Sequence, residues 1–178
     1  SESSCLVELD EQPPLVMNEK SMRLGVQMCK LLHCHILDEI HVMRKTVVDG
    51  SSVSGFQRTA LIGTNGYVEG EFGKVAVQTT MLEEDAATPI SKAEGIVEYR
   101  LDRLGVPLIE IATDASINSP EMAKQVAGHI GLLLRSGDVV RGIGSIRQDI
   151  NISIEGGARI EIKGFQELDK IPIVVENE

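Results

Sequence analysis

The chain has 178 residues, 42% of them hydrophobic, and a formal charge of −10 from 17 Lys and Arg against 27 Asp and Glu. That is enough apolar material for one soluble globular domain. The charge has the wrong sign for gripping nucleic acid by its phosphates, so any RNA contact must be local. With no Trp, two Tyr and three Phe, stacking platforms for single-stranded RNA are not expected. No run approaches the roughly 20 apolar residues of a membrane helix. Cys5, Cys29 and Cys34 form no even disulfide set and no charged-then-apolar leader opens the chain, which predicts a reducing, cytoplasmic compartment.

Residues 5–10 read as a short strand ended by Pro13-Pro14, since proline cannot donate to a ladder. Asn18 is a good N-cap for a helix in which Met22, Val26, Cys29 and Leu32 recur at helical spacing, widened by Leu24, Met28 and Leu31. Residues 38–48 alternate as a strand through Ile40, Val42, Arg44 and Thr46, closed by the loop at 49–52. Another strand is expected over 56–62, with turns around Asn65-Gly66 and 70–73. Residues 74–83 then alternate, placing Val75, Val77, Thr79, Met81 and Glu83 on one side and Glu84 on the other. Strands near 96–101 and 106–112 flank a turn at 102–105 and read as a hairpin. The clearest element is a helix over 120–136, with Ser119 as N-cap, Pro120 at N1 and Gly137 at the C′ position. Beyond it, Ile146, Ile150, Ile152, Ile154, Ile160 and Ile162 share one face of a second hairpin. Keeping apolar and charged faces apart there requires an odd loop; a three-residue loop ending in a left-handed glycine favours Glu155-Gly156-Gly157, with Gly157 left-handed, over Gly156-Gly157-Ala158, and sets Ile152 opposite Ile160, Ile150 opposite Ile162 and Asp149 opposite Lys163. The tail reads as a helix beginning near Pro172 and cut short. Strands and hairpins interrupted by two helices make an α+β fold.

Several carboxylates stand where a sheet does not need them. Glu110, inside "PLIEIAT", must be paired, protonated, bound to a cation or turned to a solvated face. The run Glu83-Glu84-Asp85 is either an exposed acidic strand end or a cation site. Asp149 and Asn151, two apart on a strand, point the same way and suit a metal, a water or plain solvent. Hard cations such as Mg²⁺ take one or two carboxylates, with waters and substrate phosphates completing the shell. Basic residues such as Arg44, Lys45, Arg58 and Arg147 would complement a nucleotide. A P-loop, the dinucleotide glycine pattern and H-E-x-x-H are absent from the sequence. "CKLLHCH", with His33, His35 and nearby His41, matches no zinc spacing, and Cys29 falls on the apolar face of a helix, so the segment reads as core. "GSSVSG" does not form a nucleophile elbow.

The blocks "MLEEDA", "RLDRLGVPLIEIAT" and "SIRQDINISIEGGARIEIKG" resemble the GatB/GatE family of tRNA-dependent amidotransferase subunits. "HVMRK", "SGFQRT" and "QELDKIP" look like its archaeal GatE branch. The resemblance implies a glutamine-synthetase-like catalytic core, an antiparallel cradle with two main helices. It implies a carbon-nitrogen ligase that uses ATP and Mg²⁺ to phosphorylate the side chain of glutamate on tRNA(Gln). Ammonia from an asparaginase-like amidotransferase partner, the D-type subunit, then displaces the phosphate. Carried over by position, Glu83, Glu84, Glu110 and Asp149 are expected to bind metal, Glu110 and Arg147 to act in catalysis, and Arg44, Arg58 and Lys163 to contact the nucleotide. Residues 1–178 read as a single, incomplete cradle domain. The family's N-terminal "G-L-E-I-H" strand, synthetase-like insertion and C-terminal tRNA-binding domains are missing from it, so the isolated fragment is not expected to work alone. The full-length protein is expected to be a hetero-oligomer that meets the acceptor end of Glu-tRNA(Gln) without a membrane. The competing expectation is a docking module without chemistry.

Overall fold

The computed structural model describes residues 6, 7, 9 and 11–178. Asn18 opens the first helix as expected: its backbone is extended and its side chain accepts from the Ser21 N–H at 3.0 Å, so α1 runs Glu19–Leu31. The strands then follow as β1 (His35–Ile36), β2 (Val42–Thr46), β3 (Phe56–Gly70), β4 (Gly73–Glu84), β5 (Thr88–Ala93), β6 (Ile96–Arg100) and β7 (Pro107–Thr113). Helix α2 (Pro120–Ser136), strands β8 (Gln148–Ile152) and β9 (Ile160–Phe165), a 3-10 turn at Leu168–Lys170 and α3 (Ile171–Asn177) complete the order. The fold mixes helices with antiparallel sheets, so it is α+β.

One five-stranded sheet organises the chain. Long β3 pairs with β4 along one edge and with both β1 and β2 along the other, and β4 pairs with β7. Hairpins β5–β6 and β8–β9 form two separate two-stranded sheets. Both main helices cover the same face of the large sheet. Cys29 of α1 packs with Ile62 and Leu82, while Leu32, capping the end of α1, and Val126 of α2 pack with Val68, Val75 and Val77. The opposite face carries Thr59, Leu61, Met81, Glu83, Leu108 and Glu110, as the pairings Thr59 to Glu83, Leu61 to Met81, Met81 to Glu110 and Glu83 to Leu108 require.

Several expectations are corrected. Of the strand expected over 5–10, residues 5, 8 and 10 lie outside the described residues, and Leu6, Val7 and Leu9 are in turns. No turn occurs at Asn65-Gly66: β3 runs through it to Gly70, with Asn65 accommodated at φ 54°. Gly66 serves close approach here, because a Cβ would run into the Cys34 sulfur and the Leu32 carbonyl. In β4 the strict alternation fails at Gln78, where a bulge against β7 puts Val75, Val77, Thr80 and Leu82 on the helix side and leaves Met81 and Glu83 on the other. The strands around 102–105 are not a hairpin, since β6 pairs with β5 and β7 with β4. That turn is instead hooked to the end of β4: Arg103 Nε donates to Asp85 Oδ2 at 2.7 Å, and the Gly105 N–H donates to the Asp85 carbonyl at 2.9 Å.

Helix α2 has the predicted bounds, and Ser119 accepts from the Met122 N–H at 3.2 Å. Gly137 is not the left-handed cap expected of it, having φ −85° and ψ 175°. Its bareness matters for packing, since a Cβ there would stand 2.9 Å from both Leu24 Cδ1 and Met28 Cε of α1. The second hairpin pairs Ile152 with Ile160 and Ile150 with Ile162 as predicted. Two details differ. Gly156, not Gly157, is left-handed at φ 76°, in a turn where the Gly157 N–H donates to the Ile154 carbonyl at 3.0 Å. A bulge between the 150–162 and 148–165 pairs also removes the expected partnership of Asp149 with Lys163. Asp149 Oδ1 instead accepts from the Gly164 N–H at 2.7 Å. The isoleucines of this hairpin are only half-buried or exposed, with Ile154 at 74%.

Candidate active-site face

The sheet alternation separates the two glutamates of "LEED". Glu84 follows Thr80 and Leu82 onto the helix-covered side, where Arg58 Nε donates to its Oε2 at 2.8 Å and a second guanidinium nitrogen donates to Oε1. The two side chains are 13% and 20% exposed, and Arg58 also donates to the Leu15 carbonyl. This pair is therefore committed to holding the segment before α1 against the sheet. Arg44 is on the same side of β2, its guanidinium 4.7 Å from the Phe56 ring centroid.

Glu83 points the other way. Lys45 Nζ donates to Glu83 Oε1 at 3.1 Å, bridging from the edge strand β2 across β3 to β4. On the far side of β4 the register sets Glu110 diagonal to Glu83 on the same face. Glu110 is exposed as a whole residue, but its carboxyl is crowded. Its pKa is raised, first by desolvation, then by the charge of Glu83 and a hydrogen bond with it, and also by Asp149, while Lys45 pulls it down. Glu83, Glu110, Asp149 and Lys45 thus form one electrostatic cluster assembled from four strands. Arg147, exposed, immediately precedes β8, and Lys163 Nζ lies 3.5 Å from Glu161 Oε2. Glu84, Arg58 and Arg44 are not part of the cluster. Lys45, expected from the sequence only as a cation for a nucleotide, meets Glu83 instead, a contact that strand order alone sets.

The donor set is hard oxygen, the kind Mg²⁺ takes. Among the described residues no three His, Cys, Asp or Glu side chains enclose an ion position. An ion held by Glu83 and Glu110 would therefore need waters or substrate oxygens for the rest of its shell, which is the usual arrangement for Mg²⁺ at phosphates. The crowding of two like charges is the physical sign that a cation would be favoured there. A cleft of about 320 Å³ occurs elsewhere, between the end of α2 and the glycine-containing turn before β8.

Residues 4–178 match the family model described as the GatB/GatE catalytic domain. This chain belongs to that family. Among GatB/GatE relatives, it is 52% identical over 178 residues to the E-type subunit of glutamyl-tRNA(Gln) amidotransferase from Archaeoglobus fulgidus, covering 99% of this chain and 29% of that protein. Identity to the protein of the same name from Thermococcus sibiricus is 55% over 174 residues, covering 97% and 28%. The Methanocaldococcus jannaschii protein of that name is 51% identical over 179 residues, covering 100% and 28%. The chain thus spans less than a third of the length of these GatB/GatE relatives. No helix among the described residues is long and apolar enough to cross a membrane.

Proposed function

We propose that this chain is the amidation domain of an ATP-dependent, tRNA-dependent amidotransferase that converts Glu-tRNA(Gln) to Gln-tRNA(Gln). The observation that carries the reading is the Glu83–Glu110 pair on the sheet face away from the helices, with Lys45 on one side and Asp149 on the other. It is supported by relatives named as the E-type subunit of glutamyl-tRNA(Gln) amidotransferase. A module that only docks has no use for a carboxylate, Glu110, whose pKa is held up by desolvation and by an adjoining carboxylate, Glu83.

The chemistry has two halves. A carboxylate is a poor electrophile, so the side chain of the tRNA-borne glutamate is first converted by ATP to an acyl phosphate, which ammonia then attacks with loss of phosphate. Glu83 and Glu110 would hold Mg²⁺, with Asp149 beside them; the ion's contribution is to neutralise charge on the phosphoryl oxygens. Lys45 fixes Glu83 by a direct hydrogen bond and limits the repulsion between the two glutamates. Arg147 and Lys163, at or next to β8–β9, are the cations that would meet phosphate oxygens: both are exposed and the Lys163–Glu161 pair is long and solvated, whereas Arg58 is held in a mostly covered pair with Glu84 and Arg44 stacks on Phe56. Other parts of the full-length protein would bind tRNA, and a partner amidase of the asparaginase-like type would supply ammonia. In this proposal the large sheet is the wall of a glutamine-synthetase-like cradle.

The deciding experiment is Glu110→Gln in the full-length protein assembled with its partner amidase. Gln-tRNA(Gln) formation and tRNA-dependent ADP release should both fall by about a hundredfold or more, the scale of losing one charge-stabilising group. Glu84→Gln should leave amidation by the folded fraction near wild type. Wild-type amidation by a folded Glu110→Gln protein would overturn the assignment.

A further inference from the structure

The segment between Cys29 and Cys34 packs on the helix-covered side of the large sheet, away from the face that carries Glu83 and Glu110, and its geometry is specific. Helix α1 ends there in a Schellman arrangement. His33 takes the left-handed position at φ 53° and its N–H donates to the Lys30 carbonyl at 3.2 Å, while the Cys34 N–H donates back to the Cys29 carbonyl at 2.8 Å. Such an end brings the first and last of six residues together, and here both are cysteines. Adding standard backbone lengths to that hydrogen bond limits their Cα separation to about 6.7 Å, within the roughly 4.4–6.8 Å that a disulfide spans.

The side chains also converge. Both meet bare strand at Gly63, where an added Cβ would lie 2.7 Å from Cys29 Sγ and 3.0 Å from Cys34 Cβ. Cys34 Sγ is 3.6 Å from the Thr80 hydroxyl. Cys29 is fully buried and Cys34 is half-buried, so Cys34 is the more accessible of the two residues. Burial, assisted by the adjoining Cys34 thiol, pushes the Cys29 thiol up to about 11, which keeps it protonated and unreactive until a partner sulfur is presented to it.

We propose that Cys29 and Cys34 are a reversible oxidation site that closes an intrachain disulfide by exchange with a small-molecule disulfide. The Cys34 thiolate attacks one sulfur of the reagent, its S–S bond breaks, and the first small thiol leaves. Cys29 then loses its proton and attacks the Cys34 sulfur of the mixed disulfide, expelling the second small thiol. The two cysteine protons end on the two released thiols, and two electrons pass from the protein to the reagent.

The test equilibrates the full-length protein with oxidised and reduced glutathione, traps free thiols with alkylating agent in denaturant, and maps disulfides by mass spectrometry. Cys29 and Cys34 should be recovered in one linked species two hydrogens lighter than the reduced form. The equilibrium for closure should be at least tenfold more favourable in the folded protein than in urea. Cys34→Ala should abolish the link, and Cys29→Ala should leave glutathione attached to Cys34. Recovery of both cysteines as free thiols, a link from either to Cys5, or closure no more favourable in the folded state than in urea would each overturn the proposal. The folded-versus-urea comparison needs no variant, so it decides the matter even where an alanine replacement fails to fold.

Discussion

At Arg58 and Glu84 two charges share a mostly covered site, so truncating one leaves the other without its partner and poorly hydrated. Arg58→Ala should lower stability by roughly 2–3 kcal/mol in urea titration, a structural loss that leaves the Glu83–Glu110 cluster in place. Glu110 behaves in the opposite sense. Its folded pKa is raised, so the folded state holds that proton more tightly than the unfolded chain does. Its contribution is therefore favourable in acid and is lost as pH rises from the ordinary carboxylate range, about 4.3, through the raised value. In the metal-free full-length protein, Glu110→Gln should have a Tm at pH 7 at or above that of wild type. The difference should shrink as pH falls below the carboxylate range. A mutant less stable than wild type at pH 7 but not in acid would show that the Glu110 charge is instead compensated.

Elements are punctuated by residues whose roles separate on inspection. Ser119→Ala removes one capping hydrogen bond from α2 and should cost about 1 kcal/mol in thermal or urea unfolding. Gly137 follows the same helix but sits in extended backbone that any residue adopts, and its neighbours are the tips of Leu24 and Met28. Gly137→Ala should therefore be less damaging than Gly137→Asn, because volume decides. A left-handed cap would give the reverse order, since asparagine tolerates that conformation better than alanine. Helix α1 is stopped by His33 in the left-handed position without any glycine, which is why "CKLLHCH" gives no stop signal when read as a string. Cys29 does lie in the core, as its place on the apolar helix face indicates, and Cys34 packs against it.

Across the whole molecule the candidate site depends on four strands arriving at one sheet face, so ligand binding should act on stability through that face. Mg²⁺ at about a hundred times its Kd should stabilise the full-length protein by about 2.7 kcal/mol. Glu83→Gln should show little of that gain, whereas Glu84→Gln should keep it, as read by Tm shift with and without the ion. Much of this architecture is legible along the chain. The caps at Asn18 and Ser119, the bounds of α2, the isoleucine register of β8–β9 and the α+β class follow from local hydrogen-bonding chemistry and side-chain period, which act over a few residues. The family blocks likewise sit in the linear order of residues. The partners of those residues are a different matter. Only the assembled sheet decides that Glu83 faces Lys45 and Glu110 while Glu84 faces Arg58, because one bulge at Gln78 shifts the alternation and β2, β4 and β7 come from distant parts of the sequence. Only it decides that β6 pairs backward with β5 and that β3 continues through Asn65. Local rules fix the direction in which a side chain leaves the backbone, but the charge it meets there is fixed by strand order and register, which are settled by burial over the entire sheet.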